Sequence, residues 1–360
     1  MDINTVVMSL VAVFICLACA DKIAGGRFGL GGLIDEGFYT LGPLAMIMIG
    51  MITISPVVAR ILCPLVSPAL LSIGADPSLF VAAILPSDSG GAPLALDICL
   101  LREAGLFNGL IVASMMGASL GIIPLVLSAT DGERQKYVIL GLLIGFMAIP
   151  PAALISGLAA GLDKKMLLRN LLPVTALSAA IAAALVYAQS CTIKVVICLG
   201  RAVLFVAVLG FAASTVRALM GLELIAGMAP IEEAFVILGQ IGIVLAGIFS
   251  LLHLVKRIFR RQLALLSIMM RVDELAMIGV VTTVANFFPV IPMLNKMTKR
   301  GVVVNMAFAV PAAYAIGDHL GFTAGFERSF VFPLVIGKLC GGLLAIIAAS
   351  LYCRHLGLKE

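Results

Sequence analysis

The chain has 360 residues, of which 62% are hydrophobic and 12% charged, and its formal net charge is +5. Soluble globular domains are roughly half apolar and a quarter charged, so this composition, with a mean hydropathy of +1.18, excludes a soluble fold and predicts an all-α, polytopic membrane protein. The positive balance sits in short connections such as Lys256, Arg257, Arg260 and Arg261, which suits lipid headgroups rather than a nucleic-acid partner.

A bilayer-spanning helix needs about 20 mostly apolar residues. In chain order, the segments that meet this requirement are 3–20, 38–59, 78–101, 106–128, 138–161, 171–188, 195–220, 234–255, 275–295, 301–325 and 329–352. They predict about 10–11 transmembrane helices forming one transport domain over residues 1–360. The first run, Ile3 to Ala20, lacks the basic start and small-residue cleavage site of a signal peptide, so it is read as a span. Residues 61–77 are apolar but punctuated by Pro64, Pro68, Gly74 and Pro77, the pattern of a re-entrant or interfacial piece. Cys16, Cys19, Cys63, Cys99, Cys198 and Cys340 lie inside apolar runs with no Cys/His cluster at metal-ligand spacing, which predicts small hydrophobes and no metal site. By the positive-inside rule the connection 256–274, with Lys256, Arg257, Arg260, Arg261 and Arg271, is cytoplasmic, and 221–233, with Glu223, Glu232 and Glu233, is outside. Strict alternation from there places Lys164, Lys165, Arg169 and Lys296, Lys299, Arg300 outside, against the rule, so some segments must turn back.

Two halves echo one another. Met48-Ile49-Gly50 recurs 229 positions later as Met277-Ile278-Gly279, and an Asp-x-x-Gly break occurs in both halves, at Asp88–Gly91 and Asp318–Gly321. The expectation is a pair of repeats near 44–120 and 275–345, inverted if every intervening segment crosses once and parallel if the first broken segment is a hairpin, each with a broken or re-entrant segment.

The breaks are where chemistry belongs. A carboxylate at mid-membrane costs about 2.5–3.5 kcal/mol on insertion scales, so Asp88 and Asp318 should face a cavity or a partner, with helix capping as the competing role. Ser89 accompanies the first break and His319 the second. Lys338 lies midway along the last segment and calls for an internal ion pair with Asp318 or Asp88 rather than an interfacial reach. Asn286, beside Pro289 and Pro292, marks a third irregular place, read as either a kink or a ligand contact. Tyr314 and Phe322 flank the second break and could offer aromatic faces to an ammonium ion. No nucleotide-binding loop or nucleophile elbow has a plausible context, so no cofactor and no enzymatic role is expected.

The tract Ala307-Phe308-Ala309-Val310-Pro311-Ala312-Ala313-Tyr314-Ala315-Ile316-Gly317-Asp318-His319-Leu320-Gly321-Phe322, with Phe332-Pro333-Leu334-Val335-Ile336-Gly337-Lys338-Leu339-Cys340-Gly341-Gly342 after it, resembles the C-terminal signature of the ethanolamine-utilisation permeases. Gly279 to Pro289 and the Asp88-Ser89-Gly90-Gly91 break are similar to the same family. The chain departs from that pattern in a shorter Glu223–Glu233 segment and the near absence of a polar C-terminal tail. The resemblance implies a multi-pass carrier of the bacterial inner membrane for ethanolamine, whose ammonium would meet Asp88 and Asp318 and whose hydroxyl would meet Asn286, Ser89 or His319. It leaves open the coupling ion, proton or sodium, and the oligomeric state. The competing expectations are a carrier or facilitator for another small polar amine or amino acid and, in another class, a membrane-embedded enzyme using Asp88, Asp318 and His319.

Overall fold

In hydrocarbon a chain must satisfy its own backbone polar groups, and helices do so within one segment. In the computed structural model, which describes residues 3–258 and 272–357, the regular elements are all helical. They are α1 (Ile3–Ile23), α2 (Gly31–Ser72), α3 (Ser78–Ile84), α4 (Ala92–Ile98), α5 (Arg102–Ala129), α6 (Gly132–Ala159), α7 (Lys164–Tyr187), α8 (Gln189–Met220), α9 (Ile231–Ile258), α10 (Glu274–Ala285), α11 (Lys299–Ala312), α12 (Asp318–Phe326) and α13 (Val331–His355). A 3-10 turn, Phe288–Asn295, follows α10. Among the described residues, eight helices hold apolar stretches long enough to cross a bilayer: α1, α2, α5 to α9, and α13.

Two of the expected spans do not cross. Helices α3 and α4 have seven residues each, about 10 Å at 1.5 Å per residue, and the chain between them turns back. The Asp76 carboxylate ties the two ends of this first hairpin together. Its Oδ1 accepts from the Ser78 N–H (2.9 Å) and hydroxyl (2.6 Å), and its Oδ2 from the N–H groups of Leu100 (3.0 Å) and Leu101 (3.2 Å). The second hairpin joins α10, about 18 Å long, to the 3-10 turn. Asp273 closes it, accepting from the Ala276 N–H (3.1 Å) and from the Thr298 N–H (3.1 Å) and hydroxyl (2.6 Å). A run of about 20 apolar residues is thus a crossing in one place and a there-and-back excursion in another.

The hairpins enter from opposite faces. Arg102, next to the base of the first, pairs with Glu327 at 3.4 Å, whereas Asn295, at the base of the second, donates to the Ala129 carbonyl at the far end of α5 (2.8 Å). From Lys299 the chain crosses in two pieces, α11 and α12, interrupted at 313–317, and α13 returns. The second hairpin brings Lys296, Lys299 and Arg300 to the same face as Asp273, which removes one of the two exceptions to the positive-inside rule. Arg260, Arg261 and Arg271, used above for orientation, lie outside the described residues, as do the side chains of Lys256 and Arg257.

Residues 61–77 are also corrected. Helix α2 runs unbroken through Pro64 and Pro68 to Ser72, prolines being tolerated within membrane helices, and the chain turns at Gly74 (φ +75). The core is made by α6 against α11 and α13. Gly141 and Gly145 of α6 and Gly337 and Gly341 of α13 lie at these contacts, the small-residue packing by which membrane helices approach closely.

Candidate functional site

The first hairpin ends inside the protein. At its tip, Ser89 (φ −97, ψ 33) and Gly90 (φ 99, ψ −2) leave helical geometry. Only glycine adopts the latter readily, and a Cβ at Gly90 would lie 2.5 Å from Met51 Cβ. The tip rests against α5 about halfway along its length, where the Leu85 carbonyl fills the space beside Gly117.

The second hairpin also ends against a crossing segment. Its last helical residues dock on the interruption between α11 and α12 by two backbone bonds, Tyr314 N–H to the Thr283 carbonyl (3.0 Å) and Ile316 N–H to the Val284 carbonyl (2.9 Å). These bonds hold Tyr314 in the left-handed region (φ 59), a conformation costly for a bulky residue. Gly317 is required next to it, since a Cβ there would overlap the Ala285 carbonyl.

Helix α12 touches the tip of the first hairpin, so the two Asp-x-x-Gly breaks meet although they are built differently. Asp318, 9% exposed, opens α12. It caps nothing, Gly317 occupying the cap position, and its carboxylate makes no hydrogen bond or ion pair with the described residues. The Asp88 carboxylate accepts from the Ser89 hydroxyl (3.2 Å), and the residue is half-buried. The charge of Asp88 acts on Asp318, and both carboxylates act on the Tyr314 phenol. Neither carboxylate makes a helix-capping hydrogen bond, although that of Asp88 stays close to the N–H groups of its own residue and Ser89.

Lys338 is fully buried. Its ammonium donates to the Ser114 carbonyl of α5 at 2.7 Å and acts on Asp88 from a distance. The expected ion pair is absent: among the described residues the pairs are Lys22–Asp35, Arg102–Glu327 and Arg217–Glu223. A helix carbonyl takes the charge-assisted bond, and Asp88 is left with capacity for another cation.

His319 is 2% exposed, lies edge-on to Tyr314 with ring centroids 5.1 Å apart, and has an unpartnered Nδ1. Asn286 stands at the second hairpin's tip, where its side-chain oxygen accepts from the Phe288 N–H (3.0 Å) and starts the 3-10 turn; that is the kink role, and its amide NH₂ is uncommitted to it. Phe322 stacks on Phe326 at 5.2 Å, which is packing. Buried hydroxyls without partners gather at the same tips and on α12: Ser87, Thr283 and Thr323. Sequence reasoning passed over these three. Ser87 and Thr283 adjoin helix breaks, and Thr323 follows His319 by one helical turn, which was the available signal.

Ser89 borders a cavity of about 190 Å³ whose other walls, among them Ile47, Pro86, Gly121 and Leu204, are apolar. A larger space of about 730 Å³ between α6, α7 and α13 is lined by Leu140, Met147, Val186 and Leu344; it holds no charge and faces outward. The carboxylates, rather than this larger cavity, mark the candidate site.

Crossing helices with interrupted backbone, and carboxylates, an ammonium and hydroxyls gathered at the interruptions, define a membrane permease. The chain belongs to the ethanolamine utilisation protein EutH family, whose profile matches residues 3–352. A Listeria monocytogenes protein described as "Probable ethanolamine permease EutH" is 40% identical over 361 residues, covering 100% of this chain and 96% of the relative. The Bacillus subtilis protein YxeR, described as uncharacterized, is 40% identical, covering 97% and 95%. A Salmonella typhimurium "Probable ethanolamine permease EutH" is 33% identical over 390 residues, covering 98% and 96%. No solved structure matches the chain. The family is one of transporters, so the protein is a multi-pass permease and not an enzyme.

Proposed function

We propose that the protein carries ethanolamine across a bacterial inner membrane, as one transport domain, and takes it in its protonated form. The observation that carries this reading is the Asp318 carboxylate, buried yet without a partner among the described residues, on a helix that touches the hairpin tip carrying a second carboxylate, Asp88. A primary aliphatic amine is mostly cationic at neutral pH, by analogy with lysine at about 10.4. Its ammonium would neutralise the mutual repulsion of the two aspartates, and its hydroxyl would find Ser89, the Asn286 amide, His319, or the unpartnered hydroxyls of Ser87 and Thr323. Tyr314 closes the aromatic side. The names of the Listeria and Salmonella relatives support the choice of amine.

The test is uptake of labelled ethanolamine into proteoliposomes, with and without imposed proton and sodium gradients. Saturable uptake displaced by unlabelled ethanolamine is expected. Displacement by an amino acid or another amine in preference to ethanolamine would overturn the choice of substrate, and product formation in detergent without a gradient would overturn transport.

A further inference from the structure

Three pairs of identical residues, Gly50 and Gly247, Asp76 and Asp273, and Asn108 and Asn305, are each 197 positions apart. Each pair does the same work. Gly50 of α2 lets the Ala207 carbonyl of α8 approach, and Gly247 of α9 does so for the Val11 carbonyl of α1. Asp76 and Asp273 close the mouths of the two hairpins. Asn108, on the crossing helix after the first hairpin, donates to the Ser78 hydroxyl (2.9 Å) at that hairpin's start, and Asn305 donates to the Ala276 carbonyl (2.8 Å) at the start of the second.

The same spacing pairs α6 with α13 and takes Gly117, where the first tip rests, to Tyr314, where the second docks. Because the hairpins enter from opposite faces, the units are inverted. Offset 229, suggested by the Met-Ile-Gly echo, would set α3 of the first hairpin against α11, a crossing piece.

We infer that the chain is an inverted repeat with an offset of 197 residues, and that its two hairpin tips are the gates of one site, each serving the face from which its hairpin enters. The inference rests on the permease reading but not on which amine is carried. In an inverted repeat each unit can take up the other's contacts, so one chain has two mirror-related arrangements that open the site to either side. Here the second tip is pinned to its crossing helix by two backbone bonds, while the first rests on unbroken α5; the two units thus occupy different members of that pair. The repeat also locates the asymmetry of charge. Asp318 and Lys338 fall opposite Gly121 and Gly141, so the second unit carries charges where the first carries glycines, and Gly121 borders the cavity beside Ser89.

The test uses the full chain with every cysteine except the buried Cys353 replaced. Single substitutions Leu101→Cys and Lys296→Cys, at exposed positions on the hairpin bases, are labelled with a membrane-impermeant maleimide in sealed vesicles of both orientations. Labelling from opposite faces is expected, Lys296→Cys from the cytoplasmic one; labelling from one face overturns the inversion. The double variant Val284→Cys with Ile316→Cys then tests the gate. Oxidation should cross-link it and stop solute counterflow, with recovery on reduction. Counterflow that persists in the cross-linked protein, or a pair that does not cross-link, overturns gating by the second tip. The labelling arm needs no solute, so a wrong substrate would not affect it.

Discussion

The tip of the first hairpin and the interruption between α11 and α12 share a sequence signature and little else. At the first, Asp88 sits where the chain reverses, Gly90 supplies a positive φ, and the backbone bonds are local: the Ser89 and Gly91 N–H groups both return to the Pro86 carbonyl. At the second, the chain continues in the same direction, a tyrosine rather than a glycine takes the left-handed geometry, and the freed backbone is satisfied from outside by the second hairpin. An acidic residue followed by glycine inside an apolar run therefore reports that the backbone is interrupted and does not report how. What the two places share is a carboxylate that caps no helix, carried on elements that touch one another.

That comparison orders the expected effects of substitution. Asp318 has no partner of its own, so removing its charge should hurt most. Truncating one member of a buried charge pair costs about 2–5 kcal/mol, and Asp318→Asn should lower initial ethanolamine uptake by about thirtyfold or more at equal membrane abundance. Asp88 is already shared with Ser89 and influenced by Lys338, so Asp88→Asn should cost about tenfold. Equal effects would mean that the two carboxylates act as an equivalent pair and that the structural difference is irrelevant to binding.

Gly90→Ala probes the backbone of the first site alone. A left-handed residue strained by about 1–3 kcal/mol, with its Cβ against Met51, should reduce uptake severalfold and lower the thermal unfolding midpoint of the purified protein. Lys338→Met separates the sites by charge. It removes a resident cation near Asp88, so the KM for a cationic substrate should fall severalfold while the maximal rate drops, and an unchanged KM would detach Lys338 from the site. Asn286→Ala should have the smallest effect, about 1 kcal/mol or less, because its oxygen serves a turn; a tenfold rise in KM would instead make its amide a main contact.

The membrane class and the positions of the embedded segments were legible because hydropathy is additive along a run. Whether a run crosses was not, since α3 with α4, or α10 with its 3-10 turn, has the length and apolarity of one spanning helix. The residues that decide it are Asp76 and Asp273, which look like ordinary loop acids until their carboxylates are seen gathering N–H groups from both ends of a hairpin. Lys338 was legible as buried, but its partner was not, because a carbonyl acceptor such as that of Ser114 leaves no mark in side-chain identity. On the 197-residue offset inferred above, the three adjacent residues of the Met-Ile-Gly echo do not pair, and the matches that share a structural role are single and far apart.

The central claim is that Asp318 recognises the ammonium group, and equilibrium binding tests it without the complication of translocation. Titration of ethanolamine into the purified wild-type and Asp318→Asn proteins, at mildly acidic pH where the amine is fully charged, should show saturable binding in the first and an increase in Kd of about thirtyfold or more in the second. The same Kd in both proteins, with Asp318→Asn folded and in the membrane at normal abundance, would contradict the account and move the recognition site away from the meeting of the two breaks.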